Sequence, residues 1–487
     1  MSKILITGTG LGGLATALRL TSKGHEVTMV EKFYQPGGRL NRLEKDGFTF
    51  DMGPSFFSMS YEFHELARSC DWTLPFAFHE LDPLYAVNFA DTGRTFKIYK
   101  DPGKLAEEFK GIEPDLEARL NRYLQTTGAL FHDTENLIIR RNFNHWWEYL
   151  QALVRVPLRH TPKLFRSFWK EVERHFESRE VREILSLVAF FLGGTPFNTS
   201  AVFTMLSYTE LQHDGYYNVR GGMYRIVEGL VDELRKRGVQ FHFNTEISGF
   251  EGGEGKLEAL IDTTGQRWTA DSFVVNADAA LFRGKVMKRK AFRMDKLDEM
   301  SWTMAPLTIY LGVKGKIPHV HHHNYFLGPN FREYASKLFL NKVSLEKPYY
   351  YVNLLSRHNP ESAPGGCEAL FILVPVPDLR YRPDWSDREE IVEGILQDLS
   401  ERIGFDLIGN RLSQTIYTPL EWQEMFELHR GSGLGLGHNM GQMAYLRPPN
   451  RDEKFSNLFY TGASTTPGTG LPMVVIGSKL TVEQMGL

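Results

Sequence analysis

The first apolar run of the chain, "KILIT", leads into glycines and then into "LATALRLTSKG", whose apolar residues recur at helical spacing up to Gly24, a C-cap candidate. A second short apolar run, "EVTMVEK", follows and contains Glu31. Strand, glycine turn, helix and strand in that order predict a βαβ unit. Close to the other end, "NLFYTG", Asn457 to Gly462, reads as a strand entering a glycine turn. "MVVIGSKLTVEQM" then reads as a helix, with Pro472 well placed in its first turn. Between these ends the period changes. "YAVNFADTGRTFKIY", Tyr85 to Tyr99, alternates on both sides of a turn and predicts a hairpin. "YYYVNLLS" and "EALFILVPVP" predict further strands, the second apolar on both faces and therefore central in its sheet.

Composition narrows the class. A chain of 487 residues is too long for one simple core, so two or three domains are expected. Hydrophobic content of 42% with 24% charged residues is that of an ordinary soluble protein, and a net charge of −3 gives no support for nucleic-acid binding. The 34 Phe and 20 Tyr suit apolar cavities as well as a large core. Cys70 and Cys367 lie far apart and form no CxxC, which points to a reducing compartment. The longest apolar run, Ile184 to Leu192, is too short to span a bilayer, and the N-terminus lacks the apolar stretch of a signal peptide. A cytoplasmic protein, free or attached to a membrane face, is expected.

The first glycine turn carries the chemistry. Gly8, Gly10 and Gly13 stand in G-x-G-x-x-G spacing. Gly8 permits the tight turn, Gly10 lets a pyrophosphate approach the backbone, and Gly13 lets helix and strand pack closely. Leu11 and Gly12 then open a helix whose free N–H groups face the phosphates. Glu31 can accept hydrogen bonds from ribose hydroxyls, and an acid there argues against NADP. Gly37-Gly38-Arg39 is a second close backbone approach, with a guanidinium able to pair with a phosphate.

The combination of GxGxxG, Glu31, "GGRL" and "GFTFDMGPS" resembles the flavin amine oxidase and phytoene desaturase superfamily. "TGASTTPGTGLPMVVIGS" resembles the carotenoid desaturases more than the amine oxidases. The resemblance implies an α/β protein: a Rossmann-like FAD-binding domain with a parallel sheet discontinuous in sequence, a mixed-sheet substrate domain, and a helical membrane-associating region. The FAD-binding parts are expected at 1–70, 216–290 and 426–487, the substrate parts at 71–115 and 291–425, and the helical region at 116–215. It implies FAD held noncovalently at two ends. The adenosine half falls to the first βαβ unit, with Gly8, Gly10, Leu11, Gly12, Gly13, Glu31 and Lys32, and Gly38, Arg39, Pro54 and Ser55 are further cofactor-binding candidates. In "RGGMYRIVEGLVDELRKRGVQFHFNTEI" the strand "VQFHFNTEI" would bring Glu246 and Ile247 to the adenosine, and "FVVNAD" would return beside it with Asn276. Gly462, Gly470, Leu471, Pro472 and Met473 are expected at the flavin ring, the helix N-terminus offering positive potential there. The implied function is desaturation of a carotenoid, either phytoene desaturation or 3,4-desaturation of a lycopene- or γ-carotene-type substrate, with oxygen or a membrane quinone reoxidising the flavin. An amine oxidase and a flavin-free isoprenoid-binding protein of related fold are the alternatives. The intact glycines, Glu31 and the C-terminal loop favour the enzyme.

Three stretches remain. Arg140 to Lys170 interleaves seven cations with Trp146, Trp147, Phe165, Phe168 and Trp169, the composition of a segment lying on a membrane surface. "HVHHHN", read as a strand, would let only His319, His321 and His323 converge, with no carboxylate nearby, so cavity lining is expected there and no metal. "ELQHDGYYNVRGG" offers Glu210, His213 and Asp214 as candidates to accept the proton that desaturation releases, although such a proton is acidic enough for water.

Overall fold

The computed structural model describes residues 1–338, 345 and 348–487. Five parallel strands form one sheet in the order Leu458–Tyr460, Ser272–Val275, Lys3–Thr7, Glu26–Val30, Gln240–His242. Its members come from three stretches separated by hundreds of residues. Side chains alternate across it. Ile4 and Ile6 pack under the helices Leu11–Ser22, Arg225–Lys236 and Leu471–Met485. Leu5 and Phe273 pack the other way, against Leu257 and Leu260 of a three-stranded antiparallel sheet and against Phe282. Both faces are thus covered, which is why the inner strands Lys3–Thr7 and Ser272–Val275 read as largely apolar runs.

A second, seven-stranded sheet has the order Arg411–Tyr417, Ala305–Lys314, Cys367–Val376, Tyr350–Leu354, His323–Leu327, Tyr85–Phe89, Thr95–Ile98. All its pairings are antiparallel except that of His323–Leu327 with Tyr85–Phe89. Cys367–Val376 is interior, as its two-faced apolarity predicts, and Tyr85 to Ile98 is a hairpin. The helix Arg388–Ile403 covers one face through Val392, Ile395 and Leu399. The other face is aromatic: Tyr310, Tyr351 and Phe371 meet Phe48 and Phe50.

Residues 116–215 are largely helical. Leu116–Thr134 runs on into a π-helical turn, Glu135–Ile139, and a second π-helical turn spans Thr209–His213. Among the described residues no helix is long and apolar enough to cross a membrane.

Two sequence expectations are corrected. "VQFHFNTEI" is not one strand. The chain leaves the parallel sheet after His242, and Ile247 starts a strand of the three-stranded sheet. "HVHHHN" is not a strand along its length either. The strand starts at His323 and His319 has φ +59°, so alternation does not sort the imidazoles. His322 and His323 are both buried, and His319 is exposed. Cys70 and Cys367 are unpaired and buried.

Candidate functional site: two glycine turns and an aromatic cavity

The two glycine turns, far apart in sequence, meet at one side chain. Cβ atoms placed on Gly10 and Gly12 would stand 2.8 and 2.7 Å from the Asn276 amide, and one on Gly462 2.8 Å from it. Asn276 Nδ2 donates to Thr461 O at 3.1 Å, and its buried Oδ1 has no partner. A Cβ on Gly13 would lie 2.3 Å from Gly8 O, so the helix Leu11–Ser22 seats only because residue 13 has none. That helix also touches the C-terminal one: Arg19 Nε donates to Ser478 Oγ at 3.0 Å. The 37–38 loop docks on the same turn, Gly37 N donating to Thr9 O at 2.9 Å.

Glu31 closes the turn from the next strand. Its carboxylate accepts from Thr9 N and Thr9 Oγ1, both at 2.7 Å, and from Phe33 N at 2.9 Å. Lys32 pairs with Glu246 at 3.5 Å, and Thr245 N donates to Glu31 O, so residues 245–247 lie beside Glu31 even though they have left the sheet. Ile247 faces inward against Val30. Thr9 was not a sequence candidate, because nothing in the G-x-G-x-x-G pattern marks its middle residue.

Arg39 donates once to the protein, from Nη1 to Gly433 O at 3.2 Å, with Asp278 beside it. Burial lowers its pKa and Asp278 opposes that effect. A half-buried guanidinium with most of its donors uncommitted to the protein suits an anion. At the C-terminal turn, Gly470 precedes the helix Leu471–Met485 and no side chain caps it, so its first N–H groups stay open. Thr469 is held by His438 Nε2 at 3.1 Å and Leu434 O at 2.6 Å. The fully buried Arg447 staples this loop, donating to the carbonyls of Leu436, Gly437, Gln442, Ala463 and Thr465. Burial pushes its pKa down to about 9. An orphan amide oxygen, close glycine approaches, two uncapped helix starts (Gly10 caps the first without a side chain) and an underused arginine fit a long, anionic, two-ended ligand such as FAD.

Beyond Ser55 lies an aromatic group. Phe56 stacks on His323, centroids 4.1 Å apart, and meets Tyr216 at 4.8 Å and Tyr351 at 5.2 Å. Tyr351 Oη donates to Ser55 Oγ at 2.8 Å and lies 2.6 Å from His323 Nδ1. Tyr325, Tyr351, Phe190, Phe191, Met304 and Leu373 line a narrow cavity of about 50 Å³. Met473 packs against the same core, while Pro54 stands half-buried beside Ser55.

The three proton-accepting candidates do not converge. Glu210 is buried beside the Tyr85 and Tyr216 hydroxyls, at the aromatic group. Burial raises its pKa to about 7, with those hydroxyls pulling the other way. Asp214 is committed to the fold: it accepts from Ser60 N at 2.7 Å and Ser60 Oγ at 3.2 Å. His213 packs on a different side, among Tyr61, Phe131 and Tyr208. Among the described residues no group of three or more metal-ligating side chains gathers.

Residues 11–485 match the family described as flavin containing amine oxidoreductase. The chain belongs to that family. It is an FAD-dependent oxidoreductase. Among curated relatives of this flavoenzyme is a zeta-carotene-forming phytoene desaturase of Myxococcus xanthus, 31% identical over 99% of this chain and 93% of the relative. A carotenoid 3,4-desaturase of Haloarcula japonica is 29% identical over 99% of this chain and 97% of its own. Among solved structures, an oxidoreductase from Methanosarcina mazei superposes with a TM-score of 0.62 at 17% identity, covering 99% of this chain and 100% of that one, which speaks for the fold.

Proposed function

We propose that this flavoenzyme introduces C=C bonds into a long acyclic or monocyclic carotenoid, by phytoene desaturation or by 3,4-desaturation of a lycopene- or γ-carotene-type substrate. The end-to-end similarity to the Myxococcus xanthus phytoene desaturase carries this reading. The buried aromatic cavity supports it: its lining offers apolar and π surface to the reacting segment of a polyene. FAD, when bound, supplies the hydride acceptor. The stretches 1–70, 216–290 and 426–487 hold it on this reading, while 71–115 and 291–425 hold the substrate. Glu31 with Thr9 binds ribose, Arg39 and the open helix starts bind phosphate, and the 462–473 turn presents backbone to the ring. Glu210 is the titratable candidate that borders the aromatic group, and near neutral pH it is poised to take up a proton. Oxygen or a membrane quinone completes the cycle.

We also propose that the protein works on the cytoplasmic surface of a membrane through residues 146–165. Trp146, Val154, Leu158 and Phe165 are 64, 77, 85 and 87% exposed. The basic component is smaller than the sequence suggests. Arg140 pairs with Glu62 and Glu135, Arg159 with Asp133, and Lys163 and Arg166 with Glu171, leaving Arg141, Arg155 and Lys170 outside these ion pairs. Phe168 is fully buried and Trp169 packs on Phe197 and Phe331, so neither reaches outward.

Products in a host that makes phytoene, lycopene or γ-carotene, with and without this protein, test the reading. New carotenoids with added conjugation are expected. Unchanged pigments in all three hosts, with FAD bound, would reject it.

A further inference from the structure

Desaturation removes two hydrogens. One leaves its carbon as hydride, with the bonding pair, to FAD. The neighbouring carbon loses a proton and its C–H pair becomes the new π bond. The proton has to reach water from the cavity, and the neighbouring carboxyl, Glu210 beside Tyr85 and Tyr216, is itself buried.

A row of imidazoles runs from that cavity to the surface. His323 Nδ1 meets the hydroxyl of Tyr351, which lines the cavity. His323 and His322 have ring centroids 4.6 Å apart, His322 and His358 5.0 Å, and His358 and His79 5.1 Å. His323 and His322 are buried, His358 is half-buried and His79 is exposed. His323 Nε2, His322 Nδ1 and His358 Nδ1 are buried nitrogens with no hydrogen-bond partner. Each is a buried polar atom left without a protein partner, which is costly. A proton would cross each gap by ring reorientation or through a bridging water.

The row is held in place. Asn218, opposite His79 on the strand pair, exchanges amide hydrogen bonds with Asn359 at 3.1 and 2.9 Å, which fixes His358 against His79. Asn353 Nδ2 and Leu354 N both donate to His322 O. The Ser55–Tyr351–His323 chain can carry its protons in either sense, depending on the imidazole tautomer.

We propose that His323, His322, His358 and His79 form a proton exit from the cavity to solvent, entered through the Tyr351 hydroxyl. They are positioning residues for proton transfer and touch neither reacting carbon. This rests on the desaturase reading. Burial holds the pKa of His322 down at about 3 and that of His323 well below the ordinary value. Arg357, His79 and His321 bear on His358 with the same sign, and Asp51 bears on Tyr351. Such stations stay neutral at rest. A proton beside a delocalised carbocation is acidic enough to enter them, and they do not retain it.

Two readouts test the exit. In substrate-free protein with 15N-labelled histidine, the ring nitrogens of His322 and His323 should report tautomer exchange that Tyr351→Phe and His358→Phe each slow. Fixed tautomers indifferent to both substitutions would overturn the exit. In FAD-loaded protein, an anaerobic single turnover with liposome-dispersed lycopene follows flavin bleaching and, by indicator dye, proton release. Release should keep step with bleaching in the wild type. In His358→Phe it should lag at least roughly tenfold, with the lag shortened by added imidazole. Synchronous release in the variant would overturn the exit, and Tyr351→Phe serves if His358→Phe does not fold. Should no carotenoid bleach the flavin in any protein, the desaturase reading fails and the nitrogen spectra alone decide the exit.

Discussion

The two glycine turns and the histidine row handle polar atoms in opposite ways. At the turns, polar groups are committed: Glu31 accepts three hydrogen bonds and Arg447 donates to five carbonyls. The main exceptions, Asn276 Oδ1 and the open donors of Arg39, sit where a cofactor fits. Along the histidine row and the aromatic cavity, buried nitrogens stand unpaired among rings. The first region is built to hold something still, and the second to let something small pass. The stretch 146–165 differs from both, because it exposes large apolar side chains.

That outer stretch should give the largest effect. Changing Trp146, Trp147 and Phe165 together to Ser removes side chains each worth about 1.5–3 kcal/mol when buried in an apolar phase. Sedimentation with liposomes should fall by orders of magnitude, and raised salt should matter less, since few cations there are unpaired. Undiminished pelleting of the triple variant would move the contact elsewhere.

The next effect sits at the aromatic group beside the cavity. Glu210 has a folded pKa of about 7 against an ordinary 4.5. A raised acid favours the folded state fully below the unfolded pKa, and that advantage is lost as pH climbs from about 4.5 through 7. The span corresponds to roughly 3 kcal/mol. Glu210→Gln should therefore flatten the fall in stability over that window and melt higher than the parent at pH 8. Parallel melting curves across pH 5 to 8 would mean the carboxyl is already hydrated.

At the glycine turns two smaller losses are expected. Glu31→Arg breaks the Thr9 contacts along with the ribose acceptor and should weaken FAD by roughly 1.5–3 kcal/mol, read from flavin release on dilution. Gly13→Ala pushes a methyl against Gly8 O and should cost roughly 1–3 kcal/mol through shifted backbone, with FAD retention falling alongside. If either variant holds FAD as tightly as the parent, the turn is not the adenosine grip.

The glycine turns were legible because their chemistry depends on spacing along the chain. Gly8, Gly10 and Gly13 fall on one turn whatever the rest of the protein does, and Pro472 fixes a helix start locally. Asn276 was legible only through family likeness, since what makes it central is contact with Gly12 and Gly462 from other stretches. The histidine row was not legible at all. His79, His322 and His358 lie on three elements, and treating 319–323 as one strand put the wrong imidazoles on one side. Trp169 and Lys163 were misread for a related reason: composition shows a basic aromatic segment, but only packing shows which residues Glu171 and Phe331 draw inward. Asp214 looked like a base beside Glu210 until the Ser60 contacts showed what it holds.

The most direct test of the central claim is an anaerobic single turnover of FAD-loaded protein with liposome-dispersed phytoene, lycopene or γ-carotene, beside a matched series with primary and secondary amines. The account predicts flavin bleaching with at least one carotenoid, accompanied by a red shift of the polyene spectrum as one conjugated bond is added, and no bleaching with amines. Bleaching by amines with none by any carotenoid would contradict it.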